Sequence, residues 1–158
     1  MENNELKPGD AAPDFRAANQ HGETLSLSDF RGKKLILYFY PKDNTPGCTT
    51  EACNFRDNYE RLLQEGFEVV GVSTDSEQSH QKFIKKYELP FHLLADTDKA
   101  IVNAYGVYGE KNLYGVKYMG TTRRTFVIDE SGTILHIIKK VDNKNATQQV
   151  LDLLSGTK

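Results

Sequence analysis

The chain has only two cysteines, Cys48 and Cys53, and both lie in the stretch "YFYPKDNTPGCTTEACN" at 38–54. Cys48 stands where an apolar, strand-like run has ended and a helix-like pattern begins. Free amide groups and the helix dipole at such a point favour an anion, and the thiolate is the nucleophilic form of cysteine. The loop therefore favours a nucleophile at Cys48, although a Thr-Pro-Gly turn capping a helix, with a small buried cysteine behind it, explains it equally well.

The residues around Cys48 are consistent with a substrate site. Thr45 offers a short hydroxyl to an incoming oxygen or to the sulfur. Pro41 and Pro46 have no amide hydrogen and stiffen the loop, and Gly47 lets the backbone come close to a bound molecule.

The spacing of the cysteines favours a transient disulfide over a permanent one. If both residues lie on one helix, five steps along it separate their Cα atoms by roughly 8.6 Å. A disulfide needs a separation below about 7 Å and converging Cβ atoms. Cys48 and Cys53 can therefore bond only after the helix between them unwinds.

Metal binding is the competing use of two thiols, and the spacing argues against it. Four scattered histidines show no zinc-site spacing with the cysteines, and each is interpreted as surface or core filler. Asp96 and Asp98 lack the glycine and glutamate of a calcium loop and are predicted to cap a helix. The histidines are His21, His80, His92 and His136.

Composition predicts one cytoplasmic domain spanning 1–158, with a flexible tail at about 1–5. The net charge of −2 gives no basic surface for nucleic acid or an anionic membrane. No apolar run approaches the length of about 20 residues that a membrane span needs, and the polar N-terminus is not a signal peptide. In a reducing compartment a cysteine pair is typically catalytic, redox-sensing or metal-binding.

Hydrophobic periodicity predicts an α/β domain with a thioredoxin-like fold: a mixed central sheet, helices on both faces and an N-terminal hairpin extension. The run "LILYFY" is apolar on both faces, so it is predicted to be a central strand. The predicted strands are 35–40, 67–73 and 91–96, with hairpins at 15–27 and 125–138, and the predicted helices are 49–64, 76–87, 99–105 and 147–154.

The segment "PKDNTPGCTTEAC" closely resembles the active-site segment of peroxiredoxins, in particular the bacterioferritin comigratory, or Q-type, branch. The Pro-x-x-x-Thr-x-x-Cys pattern is present as Pro41, Thr45 and Cys48, and the branch's second cysteine is present as Cys53. The resemblance extends over nearly the whole chain, through "KPGDAAPDF", "SLSDFRGKKLILYFYP", "GVSTDSEQSHQKF", "GVYGEKNLYGVKYMG" and "RRTFVIDESG".

The resemblance implies a peroxidase that uses no metal or organic cofactor. It makes Cys48 the peroxidatic cysteine, which becomes a sulfenic acid, and Cys53 the resolving cysteine. Thr45 and the loop amides, Gly47 among them, would hold the peroxide, and Pro41 would shield the site from bulk water. The substrates would be hydrogen peroxide and alkyl hydroperoxides, the reductant thioredoxin or glutaredoxin, and the enzyme a monomer.

The resemblance also implies an arginine beside the thiolate. The family's arginine precedes a Ser/Thr by two residues, which selects Arg123 ahead of Thr125. Strand alternation predicts that Arg123 and Arg124 face opposite ways, which leaves Arg124 a solvent or rim role. Glu51 falls where the family often has a glutamate that orients the arginine.

The role of one further segment stays open. The stretch 105–119, with Tyr108 where many relatives have tryptophan, is either an ordinary aromatic-rich surface loop or a substrate-access element.

Two other classes of protein compete with a peroxidase. A general disulfide oxidoreductase would favour Cys-x-x-Cys, which is missing from the sequence. A redox sensor or chaperone-like protein would stop after one oxidation, whereas a peroxidase with thioredoxin consumes many equivalents of peroxide.

Overall fold

The computed structural model describes residues 5–155, so the predicted tail lies outside it except for Glu5. The strands are β1 (Arg16–Ala18), β2 (Thr24–Ser26), β3 (Lys34–Phe39), β4 (Phe67–Ser73), β5 (His92–Ala95), β6 (Tyr108–Leu113), β7 (Val116–Thr121), β8 (Arg124–Ile128) and β9 (Ile134–Ile138). The helices are α1 (Pro46–Asp57), α2 (Tyr59–Gln64), α3 (Glu77–Tyr87), α4 (Ala100–Ala104) and α5 (Ala146–Ser155), with short 3-10 turns at Leu27–Phe30 and Asn143–Asn145.

The central sheet is mixed, in the order β5-β4-β3-β8-β9. Strand β3 runs parallel to β4 and antiparallel to β8. Each residue of β3 after Lys34 is almost fully buried, which explains its apolar character on both faces. The prediction of a central strand there is confirmed.

Successive side chains of β3 supply the two halves of the core. Ile36 and Tyr38 pack on the face covered by α1, α3 and α5, and Leu37 and Phe39 pack on the face covered by α4 and the N-terminal segment. Helices therefore lie on both faces, and β1 pairs with β2 as a separate hairpin. The predicted thioredoxin-like α/β fold is confirmed.

The single helix predicted for 49–64 is wrong. Helix α1 begins earlier, with Pro46 in its first turn, where a missing amide hydrogen costs nothing. It ends at Asp57, and the side-chain Nδ2 of the next residue, Asn58, donates to the Asn54 carbonyl at 2.8 Å. This local bond competes with the helix, so a second helix, α2, starts after Asn58.

The loop interpretation of 105–119 is also wrong, because most of this stretch is a hairpin of β6 and β7. Its turn residues Tyr114 and Gly115 both have positive φ, at 54° and 82°. Positive φ at both positions is typical of a tight hairpin turn, and tyrosine is not a residue that signals one. The sequence pattern therefore did not predict the strands β6 and β7.

Gly71 of β4 provides a test of the packing beneath β3. A Cβ atom added there would lie 2.8 Å from both Tyr38 Cζ and Leu93 Cδ2. We expect Gly71→Ala to lower the free energy of unfolding by about 1–3 kcal/mol, since the tyrosine ring must shift. Urea unfolding of the reduced protein measures this. Gly109→Ala is the control, because nothing lies within 4 Å of a Cβ at Gly109. Equal losses in the two variants would contradict the packing described.

Candidate active site

Cys48 lies in the first turn of α1, directly after the loop that follows β3. The residue before the helix, Thr45, has extended backbone and accepts the amide of Thr49 at 2.8 Å through its carbonyl. The thiol is only 1% exposed and packs with Ala52 and Phe55 in the core. Amides in a first helical turn have no intrahelical acceptor, so the Gly47 and Cys48 amides are free donors of this turn beside the thiol.

The predicted loop residues lie on the approach to this turn. The Thr45 hydroxyl donates to the Lys42 carbonyl at 2.9 Å and does not cap the helix. Its lone pairs therefore stay available to accept a hydrogen bond. Pro41 is half-buried in the loop, two residues after β3 ends and four residues before Thr45.

Arg123 contacts both Cys48 and Glu51. Its Nη2 donates to Cys48 Sγ at 3.3 Å, and its Nη1 donates to Glu51 Oε1 at 2.9 Å. Glu51 is fully buried one helical turn after Cys48, so both groups point from α1 toward the guanidinium. The antiparallel pairing of β8 with β3 brings Arg123 beside the β3–α1 connection.

For both Glu51 and Arg123, burial and the neighbouring charges shift the pKa in opposite directions. Burial raises the pKa of Glu51 to about 7, although Arg123 opposes the rise. Burial alone would lower the pKa of Arg123, but Cys48 and Glu51 outweigh it and the pKa is raised. The guanidinium therefore stays charged, while Glu51 exchanges its proton near neutral pH.

Arg124 does not reach the thiol. It is half-buried and lines a cavity with Tyr105 and Phe126, which pack on the opposite face of the sheet from Cys48. Its Nε is buried without a hydrogen-bond partner among the described residues. The structure thus brings Arg123, and not Arg124, to Cys48.

Gly47 lets two side chains come close to the helix start. A Cβ atom there would lie 3.0 Å from Arg123 Nη2 and 3.1 Å from Asn143 Nδ2. Sequence reasoning missed Asn143, which comes from the 3-10 turn before α5. Its Oδ1 is buried, and among the described residues it has no hydrogen-bond partner; the same holds for Glu51 Oε2 and Tyr38 OH.

A buried network anchors the loop, and sequence reasoning missed it as well. Asp43 accepts from Tyr40 OH at 2.6 Å and Ser79 Oγ at 2.7 Å, and it pairs with His80 Nδ1 at 2.7 Å. The other ring nitrogen of His80 faces the Leu94 carbonyl at 2.9 Å. His80 is therefore not core filler, because it fixes the loop to α3. Its position on the apolar face of an amphipathic helix was the available signal.

Cys53 is half-buried on α1, and both thiols are free. The two cysteines therefore share one helix, as predicted. Within residues 5–155 no group of three or more His, Cys, Asp or Glu side chains could hold a metal ion. Asp96 caps α4, since its carboxylate accepts the amides of Ile101 and Val102.

The chain is similar to known proteins both in sequence and in structure. The profile of the AhpC/TSA family matches residues 8–137. A putative peroxiredoxin bcp of Coxiella burnetii is 52% identical over 136 residues, covering 86% of this chain and 90% of that protein. A crystal structure of a PrxQ mutant from Xylella fastidiosa superimposes with a TM-score of 0.90 at 32% identity, covering 98% of each chain.

A third similar protein is the bacterioferritin comigratory protein of Xanthomonas campestris, whose structure was determined to study its alkyl peroxide reduction activity. It has a TM-score of 0.85 and 32% identity, and the match covers 98% of each chain.

The raised pKa of Glu51 predicts a pH-dependent stability. Between pH 4.5 and about 7 the folded protein holds a proton on Glu51 that the unfolded chain releases. The free energy of unfolding should therefore fall as pH rises through this window, on the order of 3 kcal/mol at most. Glu51→Gln lacks this dependence, so its stability relative to wild type should increase with pH.

Urea unfolding of the reduced protein at about pH 5 and pH 8 measures the difference. Glu110→Gln is the matched control, because Glu110 is exposed, and it should follow wild type. If Glu51→Gln also runs parallel to wild type, the burial cost assigned to Glu51 is wrong.

Proposed function

The chain belongs to the AhpC/TSA family and is a peroxiredoxin, and from this premise we propose that Cys48 reduces hydrogen peroxide and organic hydroperoxides. In the proposed cycle Cys53 resolves the oxidised Cys48 within the same chain, and thioredoxin restores the two thiols. The observation that carries the proposal is the 3.3 Å contact between Arg123 Nη2 and Cys48 Sγ at the start of α1.

The first step oxidises Cys48. The thiolate attacks one peroxide oxygen, the O–O bond breaks, and the other oxygen leaves with a proton as water or alcohol. Cys48 becomes a sulfenic acid, and the peroxide takes up two electrons. Arg123 is placed to stabilise charge on both the sulfur and the departing oxygen, and preorganised donors of this kind contribute strongly to catalysis.

The second step forms the disulfide. The Cys53 thiolate attacks the sulfenic sulfur, the S–S bond forms, the S–O bond breaks, and hydroxide leaves as water after protonation. Helix geometry keeps the two Cα atoms roughly 8.6 Å apart, beyond the range of a disulfide. Residues 48–53 therefore unwind locally before Cys53 reaches Cys48.

The third step returns the electrons. A dithiol reductant attacks the Cys48–Cys53 disulfide and forms a mixed disulfide with one of the two cysteines. Its second thiol then displaces that cysteine, so the reductant is oxidised to a disulfide and both thiols of this chain are restored. Thioredoxin is the proposed reductant, with glutaredoxin as the alternative. The dithiol supplies both electrons, so the proposed cycle uses no metal or organic cofactor.

We propose supporting roles for four residues near Cys48. Thr45 accepts a hydrogen bond from the bound peroxide, Pro41 limits the access of water, and Gly47 lets the guanidinium approach the helix. Glu51 orients Arg123 through the 2.9 Å bond.

We further propose that the chain is a single domain and a cytoplasmic monomer. Both cysteines of the cycle come from one helix, so a second subunit is not needed, and a recycled disulfide suits a reducing compartment. The helices within residues 5–155 are all too short or too polar to cross a membrane.

Turnover separates a peroxidase from a redox sensor. With thioredoxin, thioredoxin reductase and NADPH present, the chain should consume many equivalents of peroxide, followed as NADPH oxidation. Consumption that stops after one equivalent, with every donor tested, would contradict the proposal and favour a sensor.

Cys48→Ser should abolish peroxide reduction while the fold stays intact, because a serine hydroxyl does not ionise at neutral pH. Cys53→Ser is the matched variant: it should reduce one equivalent of peroxide and then stall with thioredoxin, leaving a sulfenic acid open to over-oxidation. The coupled assay and the mass of the intact protein report both outcomes. Near-wild-type activity of the Cys48→Ser variant would show that Cys48 is not the nucleophile.

Arg123→Ala should slow the oxidation of Cys48 by roughly 100-fold, since it removes a charged donor at the reacting sulfur. Arg124→Ala should have a much smaller effect, because its side chain lines a cavity on the other face of the sheet. Rapid-quench mass spectrometry of Cys48 under single-turnover conditions measures both rates, and circular dichroism checks the folds. A larger effect from Arg124→Ala would reverse the assignment.

A further inference from the structure

Asn54, the residue after Cys53, joins α1 to the C-terminal segment. We propose that Asn54 is a positioning residue of the resolving step, a clasp that holds α1 wound and must open before Cys53 can reach Cys48. This inference rests on the proposed function, because it concerns the rate at which the Cys48–Cys53 disulfide forms.

The side-chain amide group of Asn54 forms hydrogen bonds with two backbone groups, one in the 3-10 turn before α5 and one in the first turn of α5. Its Nδ2 donates to the Lys144 carbonyl at 2.7 Å, and its Oδ1 accepts the Thr147 amide at 2.8 Å. The Thr147 hydroxyl lies 3.4 Å from the Asn54 carbonyl. Thr147 is in the first turn of α5, where amides lack intrahelical acceptors, so Asn54 caps that helix from another element.

The partners of Asn54 also have contacts outside α1. Val150 of α5 is fully buried in the core. Gln149 donates to the Lys140 carbonyl at 2.8 Å and accepts the Asp142 amide at 2.9 Å, which fixes the turn before the helix. The segment that contains Lys144 and Thr147 is therefore held by more than its bonds to Asn54.

Disulfide formation rotates the backbone next to Asn54. In a helix, five steps turn Cys53 about 140° away from Cys48, so their side chains must be rotated toward each other before the sulfur atoms can meet. The peptide between Cys53 and Asn54 rotates with that change. We expect the short Asn54 side chain to lose its bonds to the Lys144 carbonyl and the Thr147 amide in this rotation, so the clasp opens.

The clasp therefore lowers the population of the unwound state. Loss of its two strong hydrogen bonds should raise that population about tenfold. Asn54→Ala also introduces a better helix former, which opposes unwinding. Helix propensity therefore cannot account for a faster resolving step in this variant.

The test compares Asn54→Ala with Asn103→Ala. Asn103 makes a similar amide bond, to the Lys99 carbonyl at 2.8 Å, but it lies exposed on α4. Each reduced protein receives one equivalent of hydrogen peroxide and is quenched with acid at intervals. Mass spectrometry then follows the sulfenic acid and the disulfide in the tryptic peptide 43–56.

We expect disulfide formation to be about tenfold faster in Asn54→Ala than in wild type and in Asn103→Ala. The rate of Cys48 oxidation should stay near that of wild type, because neither variant removes a contact with Cys48 or Arg123. A general loss of structure would instead slow the oxidation of Cys48. With excess peroxide, Asn54→Ala should also over-oxidise less, because its sulfenic acid is trapped sooner.

Hydrogen exchange of the wild-type protein gives a second test that needs no variant. The Thr147 amide should be protected when the protein is reduced and lose its protection together with residues 48–53 when the disulfide forms.

A resolving rate in Asn54→Ala that equals or falls below that of Asn103→Ala would overturn the inference, as would a Thr147 amide that stays protected in the disulfide form. A wild-type chain that forms no Cys48–Cys53 disulfide would contradict the proposed function itself, and the inference with it.

Discussion

The Arg123 guanidinium bridges a thiol and a carboxyl group that both come from α1, and the arrangement of the site depends on this bridge. Cys48 and Glu51 are almost fully buried, so a charge on either is costly unless a cation lies beside it. Arg123 supplies the cation at 3.3 Å and 2.9 Å. The fold meets this requirement by placing β8 antiparallel to β3, so that the residue before β8 reaches the helix that follows β3.

The loop between β3 and α1 must also be fixed, because it sets where the helix begins. Asp43 does this through its bonds to Tyr40, Ser79 and His80, and its amide donates to Asp75 at 2.7 Å. At the other end of the segment, Asn54 ties α1 to α5. Side-chain hydrogen bonds thus hold the segment before Cys48 and after Cys53, and Arg123 binds the turn between them. In the proposed resolving step the bonds of Asn54 open, while those of Asp43 still hold the start of the segment.

Much of this arrangement could be predicted from the sequence. Periodicity located β4 at 67–73, where the structure has Phe67–Ser73, and strand alternation separated Arg123 from Arg124. These predictions depend on neighbours along the chain. The break at Asn58 and the hairpin turn at Tyr114 were missed, because each depends on a particular local conformation that residue types only weakly favour.

Contacts between residues distant in sequence were the other part that could not be predicted. Asp43 and His80 are 37 residues apart, and Asn54 and Thr147 are 93 apart. One sequence carries no signal that pairs such positions, and a histidine or asparagine on a helix has many structural uses. Only the packing of α3 and α5 on the same face of the sheet brings these residues to the segment 43–54.

In the proposed cycle Cys48 and Cys53 leave a shared helix to bond with each other, and the tryptic peptide 43–56, which contains both cysteines, reports whether this claim holds. After one equivalent of peroxide and alkylation without reduction, this peptide should be lighter than the reduced peptide by two hydrogen atoms and carry no alkyl group. Two copies of the peptide joined to each other, or a peptide with Cys53 alkylated and Cys48 oxidised, would contradict the claim.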